Sequence, residues 1–361
     1  MSPARRRLLE LRLKQHADTT APSARGIPAR HEATAPLSLD QEEIWLFCRL
    51  HPESTLYHST CHLRFRGRLD VGALERALAQ LVQRQAALRV TIDGTQDPPV
   101  QRISPLQELN LPVETLDGRE NPQSALEALA RSALEAPFDL SVGPLYRVRL
   151  VRLGVADHVL LFVVHHLLFD GWSADILRED LAALYAAAVS GQPAALAPLS
   201  IDYLDFAAWQ RQKLTEASWQ DSLAFWRQRL ASPVPPLEMP TDFVRPPERT
   251  FRAARRSRLL PGEVVAELKR LGQEEGATLF ITLLAGWQTL LHRLSGQTEF
   301  AVGVPVVERN QVETERLVGC FINTLVMSVT LSPERTFREF LRDARAAAIG
   351  AYDHKDLPYH K

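Results

Sequence analysis

Cysteine is scarce in this chain of 361 residues, and Cys48, Cys61 and Cys320 share no CxxC spacing. An odd, uneven set of thiols argues against a disulfide framework or a cysteine-built zinc site, and fits a reducing compartment such as the cytoplasm. No apolar run reaches the length of a membrane span, and the first residues lack the apolar stretch of a secretory signal. Charge of one sign is missing too: 42 Lys and Arg stand against 43 Asp and Glu, a net charge of -1. That balance offers no global field for nucleic acid. Neither a P-loop nor a Rossmann glycine pattern is found, so no nucleotide site is marked. The expectation is a soluble, cytoplasmic protein without nucleic-acid or membrane partners.

What is present is enough to build a large core. Hydrophobic residues make up 45% of the chain, and the length allows two lobes. Val71, Leu74, Leu78, Leu81 and Val82 share one helical face, with Asp70 placed to cap it. Residues 61–65 and 146–150 alternate as half-buried strands do. Strands and helices therefore interleave, which points to an α/β sandwich. Helical stretches around Trp209, Trp219 and Trp226 lead into a tract holding Pro233, Pro235, Pro236, Pro240, Pro246 and Pro247, a crossover between lobes, while the indoles serve packing. After it, 278–294 reads as a largely buried helix, and 300–307 and 324–331 as strands. Residues 3–15 form a basic helix candidate, either a solvated leader or a docking helix.

The chemistry concentrates at 163–173, Val-Val-His-His-Leu-Leu-Phe-Asp-Gly-Trp-Ser. His158 to Val164 reads as a strand buried on both faces, and a helix follows with Ser173 as its expected N-cap. His165, His166 and Asp170 thus lie on a strand-to-helix turn, with Gly171 free to take unusual backbone angles. Adjacent strand residues point to opposite faces, so at most one of the two histidines can face a given channel. The remaining histidines and cysteines are scattered, and no metal is expected.

His165-His166-x-x-x-Asp170-Gly171-Trp172-Ser173 resembles the HHxxxDG signature of condensation domains of nonribosomal peptide synthetases, in the chloramphenicol acetyltransferase-like superfamily. Five further stretches match that family in order. Ser38, Gln41 and Trp45 resemble its first motif, with Glu43 where arginine is usual. Arg84 to Arg89 resembles the second, with Gln85 and Ala86 in place of His and Glu. Tyr203 to Trp209 is similar to the fourth, Val318 to Thr324 to the fifth, and His354 to Tyr359 to the sixth. Four residues beyond Thr324 the family commonly has arginine, where this chain has Ser328.

The resemblance implies two acetyltransferase-like lobes in a V shape, expected at 36–215 and 216–361 after a leader at 1–35, with the second lobe incomplete. It implies amide-bond formation between a carrier-bound acyl or aminoacyl thioester donor and an amine acceptor. The partners implied are donor and acceptor carrier proteins, each bringing a phosphopantetheine arm, and adjacent synthetase modules, with no cofactor bound directly. His166 is the expected central residue. Moving a proton from an α-amine to a free imidazole costs roughly 2 kcal/mol, so it could serve as general base; hydrogen-bonding to the amine or the tetrahedral intermediate is the other role. Asp170 is expected to be structural, partnered by an arginine for which Arg89 is the candidate. Gly171 could offer its amide to the oxyanion, with His165 packing, Trp172 and Ser173 supporting, and Asn323 at the tunnel floor. Trp172 favours condensation over epimerisation, and His165 disfavours heterocyclisation, which has aspartate there. An epimerising or ester-forming relative and a catalytically silent scaffold that binds carrier or neighbouring modules are the alternatives.

Overall fold

The structure is a computed structural model that describes residues 26–361 apart from 233, 248, 249 and 252. The expected basic helix at 3–15 lies outside them.

The chain enters as β1 (Thr34–Pro36) and turns into α1 (Leu39–Leu50), where Ser38 and Gln41 form a reciprocal capping box. β2 (His58–Thr60) and β3 (Leu63–Arg66) precede α2 (Val71–Arg84). Asp70 caps α2 as expected, its carboxylate accepting the Ala73 amide at 2.9 Å. Next come β4 (Val90–Asp93), β5 (Val100–Ile103), β6 (Val113–Thr115) and α3 (Pro122–Glu135). β7 (Tyr146–Gly154) and β8 (Asp157–His165) lead to α4 (Gly171–Ser190).

β8 is the centre of a five-stranded sheet in which it pairs antiparallel with β7 on one edge and with β2 and β3 in succession on the other. Flanked on both sides, it is buried from His158 to His165, as a continuous apolar run requires. α2 and α4 cover one face through Leu74, Leu78, Leu81, Ile176, Leu177 and Leu181. The same core takes in Tyr203 and Phe206 from α5 (Tyr203–Lys213) and, from far along the chain, Leu317, Val318, Cys320 and Phe321.

α6 (Gln220–Arg229), α7 (Gly262–Glu274) and α8 (Leu279–Ser295) follow, then the antiparallel pair β9 (Glu299–Val307) and β10 (Ile322–Thr330), and α9 (Phe337–Asp353). A second core gathers Trp226, Ala285, Phe300, Leu325, Leu341 and their neighbours. Trp226 is buried and donates its indole N–H to the His354 carbonyl at 3.1 Å, so this indole does pack. The described part of the proline-rich tract from 234 to 261 has neither helix nor strand.

α8 departs from expectation. Ile281, Leu284, Ala285 and Leu291 are buried, but Phe280, Leu283, Trp287, Leu290 and Leu294 are about half exposed and form a stripe along the opposite side. The sequence is apolar on both faces, and periodicity alone does not say that only one face meets the sheet.

Candidate functional site

Both histidines sit where β8 ends, and main-chain bonds pin the turn on either side. The His165 amide donates to the Leu145 carbonyl at 2.9 Å and the His166 amide to the Tyr57 carbonyl at 2.7 Å. A single 3-10 turn, His166–Leu168, then sends the two rings apart. His165 is 2% exposed and its Nδ1 accepts the Leu167 amide at 3.2 Å, which places the ring proton on Nε2, 3.6 Å from Cys48 Sγ. Burial, reinforced by His58 and His166, pushes its pKa down to about 3, so it packs as a neutral ring. His166 is half-buried. Its ring stands perpendicular to that of Tyr57, centroids 6.3 Å apart, and its Nδ1 lies 3.8 Å from Cys320 Sγ.

Asp170, 2% exposed, organises the start of the next helix. Its Oδ1 accepts the Ser173 amide at 2.6 Å and its Oδ2 the Phe321 amide at 3.2 Å. Arg309 Nη2 donates to both oxygens at 3.1 Å. Asp170 is therefore the N-cap of α4, which starts at Gly171, and Ser173 is not. Ser173 is spent elsewhere, its hydroxyl donating to the Gly319 carbonyl at 2.9 Å and accepting the Gly319 amide at 3.0 Å and Arg309 Nη2 at 3.1 Å. The Arg309 guanidinium lies over the Phe321 ring at 4.0 Å and donates through Nη1 to the carbonyls of Thr314 and Leu317.

The expected Arg89 partner is thus corrected. Arg89 donates to the carbonyls of Val82 at 3.3 Å and Ser104 at 3.1 Å, while Arg309, 139 residues beyond Asp170, supplies the counter-charge. A charged residue just past the apolar strand β9 was the available signal, with nothing local to name its partner.

Gly171 takes no positive φ, so the backbone freedom expected of it is unused. A Cβ there would meet nothing within 4 Å, so the residue leaves open space beside the helix start. Trp172 donates its indole N–H to the Glu315 carbonyl at 3.1 Å. Asn323 donates to the carbonyls of Lys355 and Leu357, both at 2.7 Å, and accepts the Tyr359 amide at 3.0 Å. It staples the last segment to β10. Gln85, standing where the resemblance expects histidine, donates to Asp180 Oδ2 at 2.9 Å and the Arg316 carbonyl at 3.1 Å and accepts the Val318 amide at 2.9 Å. The Ser328 carbonyl accepts from Arg229 Nη2 at 3.2 Å.

A second acidic centre links α1 to the segment just beyond β9. Asp40 on α1 and Glu308 just beyond β9 lie near Gln210, whose side-chain oxygen accepts the Leu39 amide at 2.9 Å and whose amide donates to Glu308 at 3.3 Å. Burial and the neighbouring Glu308 raise Asp40, and burial with the neighbouring Asp356 pushes Glu308 up to about 8. Burial, and behind it the carboxylates of Asp40 and Asp170, likewise hold the Cys320 thiol protonated. Among the described residues no group of three or more His, Cys, Asp or Glu could hold a metal ion, and no helix is long and apolar enough to cross a membrane.

Chemically, the site offers one accessible imidazole, a helix N-terminus with open space above it, and a clamped ion pair that fixes their relation. Comparison with known proteins gives the context. The family described as "Condensation domain" matches residues 31–361. The chain is 44% identical over 340 residues to a subunit of linear gramicidin synthase from Brevibacillus parabrevis, covering 94% of this chain and 7% of that protein. It therefore spans a small part of the length of that relative. Among solved structures it resembles the X-domain from teicoplanin biosynthesis, also seen in complex with OxyB, with a TM-score of 0.81 and 29% identity over 94% of this chain and 75% of that one. The first condensation domain of the CDA synthetase shares the fold, with a TM-score of 0.78 and 23% identity over 91% of this chain and 78% of that one.

Proposed function

Because the chain belongs to the condensation-domain family of nonribosomal peptide synthetases, we propose that it joins a carrier-bound acyl or aminoacyl donor to an amine acceptor at His166. The observation that carries this reading is the half-buried His166 ring, held between Tyr57 and Cys320 at the end of β8. The acceptor nitrogen attacks the thioester carbonyl, the C–N bond forms, the C–S bond breaks, and the departing sulfur leaves as a thiol carrying a proton lost from nitrogen. The thioester is already activated, so no nucleotide takes part. Asp170 acts by capping α4 and holding Arg309, which sets the helix start and the 317–321 loop around His166; Trp172, Ser173 and Asn323 support that frame. Gly171 keeps the approach clear, and its amide, first in the helix, faces the dipole end where negative charge is stabilised.

Condensation domains of synthetases act with carrier domains and neighbouring modules. For this chain, carriers bearing phosphopantetheine are the proposed partners, docking in the cytoplasm on opposite sides of two lobes at 36–215 and 216–361. The test uses the parent synthetase with donor and acceptor carriers loaded by its own modules. His166→Ala is expected to lose amide product by ~10²–10⁴-fold in mass-spectrometric assay, the span typical of a proton-transfer residue. Unchanged turnover would sink the reading. A silent binding scaffold is the second reading, favoured by the likeness to an X-domain seen bound to OxyB. It predicts no amide product from the wild-type chain and an undiminished complex with its neighbours in His166→Ala.

A further inference from the structure

We infer that Asp40 and Glu308, joined through Gln210 beside the His166 turn, form a subsite for a compact cation, and that the building block it reads is an aminoacyl group with a primary ammonium in its side chain. The substrate class rests on the condensation reading; the subsite itself does not.

Gln210 on α5 sets the geometry. Its side-chain oxygen accepts the Leu39 amide at 2.9 Å and its amide donates to Glu308 Oε2 at 3.3 Å. One carboxamide thus joins the first turn of α1 to the residue just beyond β9. Both ends border the His166 turn. Gln41, next to Asp40, donates to the Leu167 carbonyl at 3.2 Å. The Glu308 amide donates to the Phe321 carbonyl at 2.8 Å, one residue past Cys320, whose sulfur lies 3.8 Å from His166 Nδ1.

Asp40 is 8% exposed, yet its Oδ2 has no hydrogen-bond partner. Capping of α1 does not account for it, because Ser38 accepts the Gln41 amide at 3.1 Å and Gln210 takes the Leu39 amide. A buried carboxyl oxygen without a donor costs free energy until a donor fills the place. Arg211, which faces Asp40, is spent on the Leu37 carbonyl at 2.8 Å and on Glu42 at 2.6 Å. Glu43 also faces Asp40, and the opposed charges of Asp356 and Lys355 face Glu308. Negative charge is therefore in excess, and burial with mutual repulsion keeps a proton on the pair at neutral pH. An incoming cation takes the place of that proton, which leaves to the buffer.

The oxygens select the cation. A guanidinium fork is matched by two oxygens of one carboxylate. Here Glu308 shares Oε2 with Gln210 and Asp40 offers Oδ2 alone, an arrangement that suits the rotatable donors of an ammonium. Among the described residues no group of three or more His, Cys, Asp or Glu could hold a metal ion. Glu308 is half-buried, so the pair opens on its side.

The experiment compares lysyl aminopantetheine, with an amide in place of the thioester, with its norleucyl counterpart, which has the same carbon chain without the side-chain nitrogen. Calorimetric titration of the full chain at pH 7, in phosphate and in Tris, is expected to show the lysyl probe binding about 10–100-fold more tightly, the span of a hydrogen bond to a charged group. It is also expected to release more protons than the norleucyl probe, read from the difference in heat between the buffers. Asp40→Asn and Glu308→Gln are each expected to lose both the preference and the extra release. Equal affinities in the wild-type chain, no lysyl binding, or a preference that survives both substitutions overturns the inference. Amide formation in the parent synthetase then gives the source of the ammonium, with lysyl and norleucyl groups loaded in turn on the acceptor carrier and on the donor carrier. The carrier on which lysyl gains is the one the subsite reads, and amide formed with no lysyl preference on either overturns the inference. A synthetase that forms no amide sinks the proposed function, while the calorimetric preference stands by itself.

Discussion

Asp170 and Arg309 are both buried, and each would be left uncompensated by loss of the other. Removing one member of such a pair costs ~3–5 kcal/mol, whereas replacing both by apolar groups often costs far less. Asp170→Asn and Arg309→Met are each expected to lower the urea midpoint strongly, and the double variant by much less than the sum. Additive losses would show that the two side chains are not coupled. Arg309→Lys is expected to behave like a deletion, because one ammonium cannot reach Asp170, Ser173 and two carbonyls at once. His165 makes a separate prediction. Its pKa falls from 6.5 to about 3 on folding, so the unfolded chain binds the extra proton, and the group's contribution is intact above pH 6.5 and lost as pH falls toward 3. His165→Gln, which cannot titrate, should gain on wild type across that window in chemical unfolding measured at a series of pH values. A constant gap between the two curves would rule this out.

At the scale of elements, helix starts and strand centres depend on neighbours a few residues away, and they were the legible part. The Asp70 cap, the buried run of β8 and the alternation of β7 followed from spacing within ten residues. The N-cap of α4 was misplaced because Asp170 and Ser173 are both capping residue types; the choice was settled by Gly319 and Arg309, which engage the serine. Arg89 failed for the same reason at longer range, since partners across 139 residues leave no local pattern. α8 failed through its composition. Its outer stripe of Phe280, Leu283, Trp287, Leu290 and Leu294 contributes little to packing, with Trp287 52% exposed. Leu283→Gln, Trp287→Gln and Leu290→Gln together are expected to shift stability within about 0.5 kcal/mol per site while raising the monomer fraction in sedimentation, because a contiguous apolar patch promotes association. A large stability loss would mean that the stripe is packed after all.

Across the whole molecule, elements far apart in the chain meet through groups that titrate. Asp40 faces Glu43, Glu308, Gln210 and Arg211; Glu308 faces Asp356, Lys355, Asn323 and Gln210. Glu308 rises from 4.5 to about 8, so here the folded state binds the extra proton. Its contribution is complete below pH 4.5 and lost as pH rises through about 8. Glu308→Gln should therefore flatten the alkaline side of the stability profile, and a variant that falls as steeply as wild type would exclude the acid pair as its cause. Asn323 ties the end of the described chain to β10, and Asn323→Ala is expected to speed proteolysis after Lys355 while leaving cleavage sites in the first core protected. The order in which these parts are made matters as well. During synthesis the β8 strand and Asp170 are extruded long before Arg309, which follows Asp170 by 139 residues, and Leu317 to Phe321, which complete the first core, come later still. A nascent chain halted before Arg309 holds a carboxylate in an apolar setting with no counter-ion, so the first core cannot close as an independent early unit and the ribosome must deliver most of the chain before its histidine is in place.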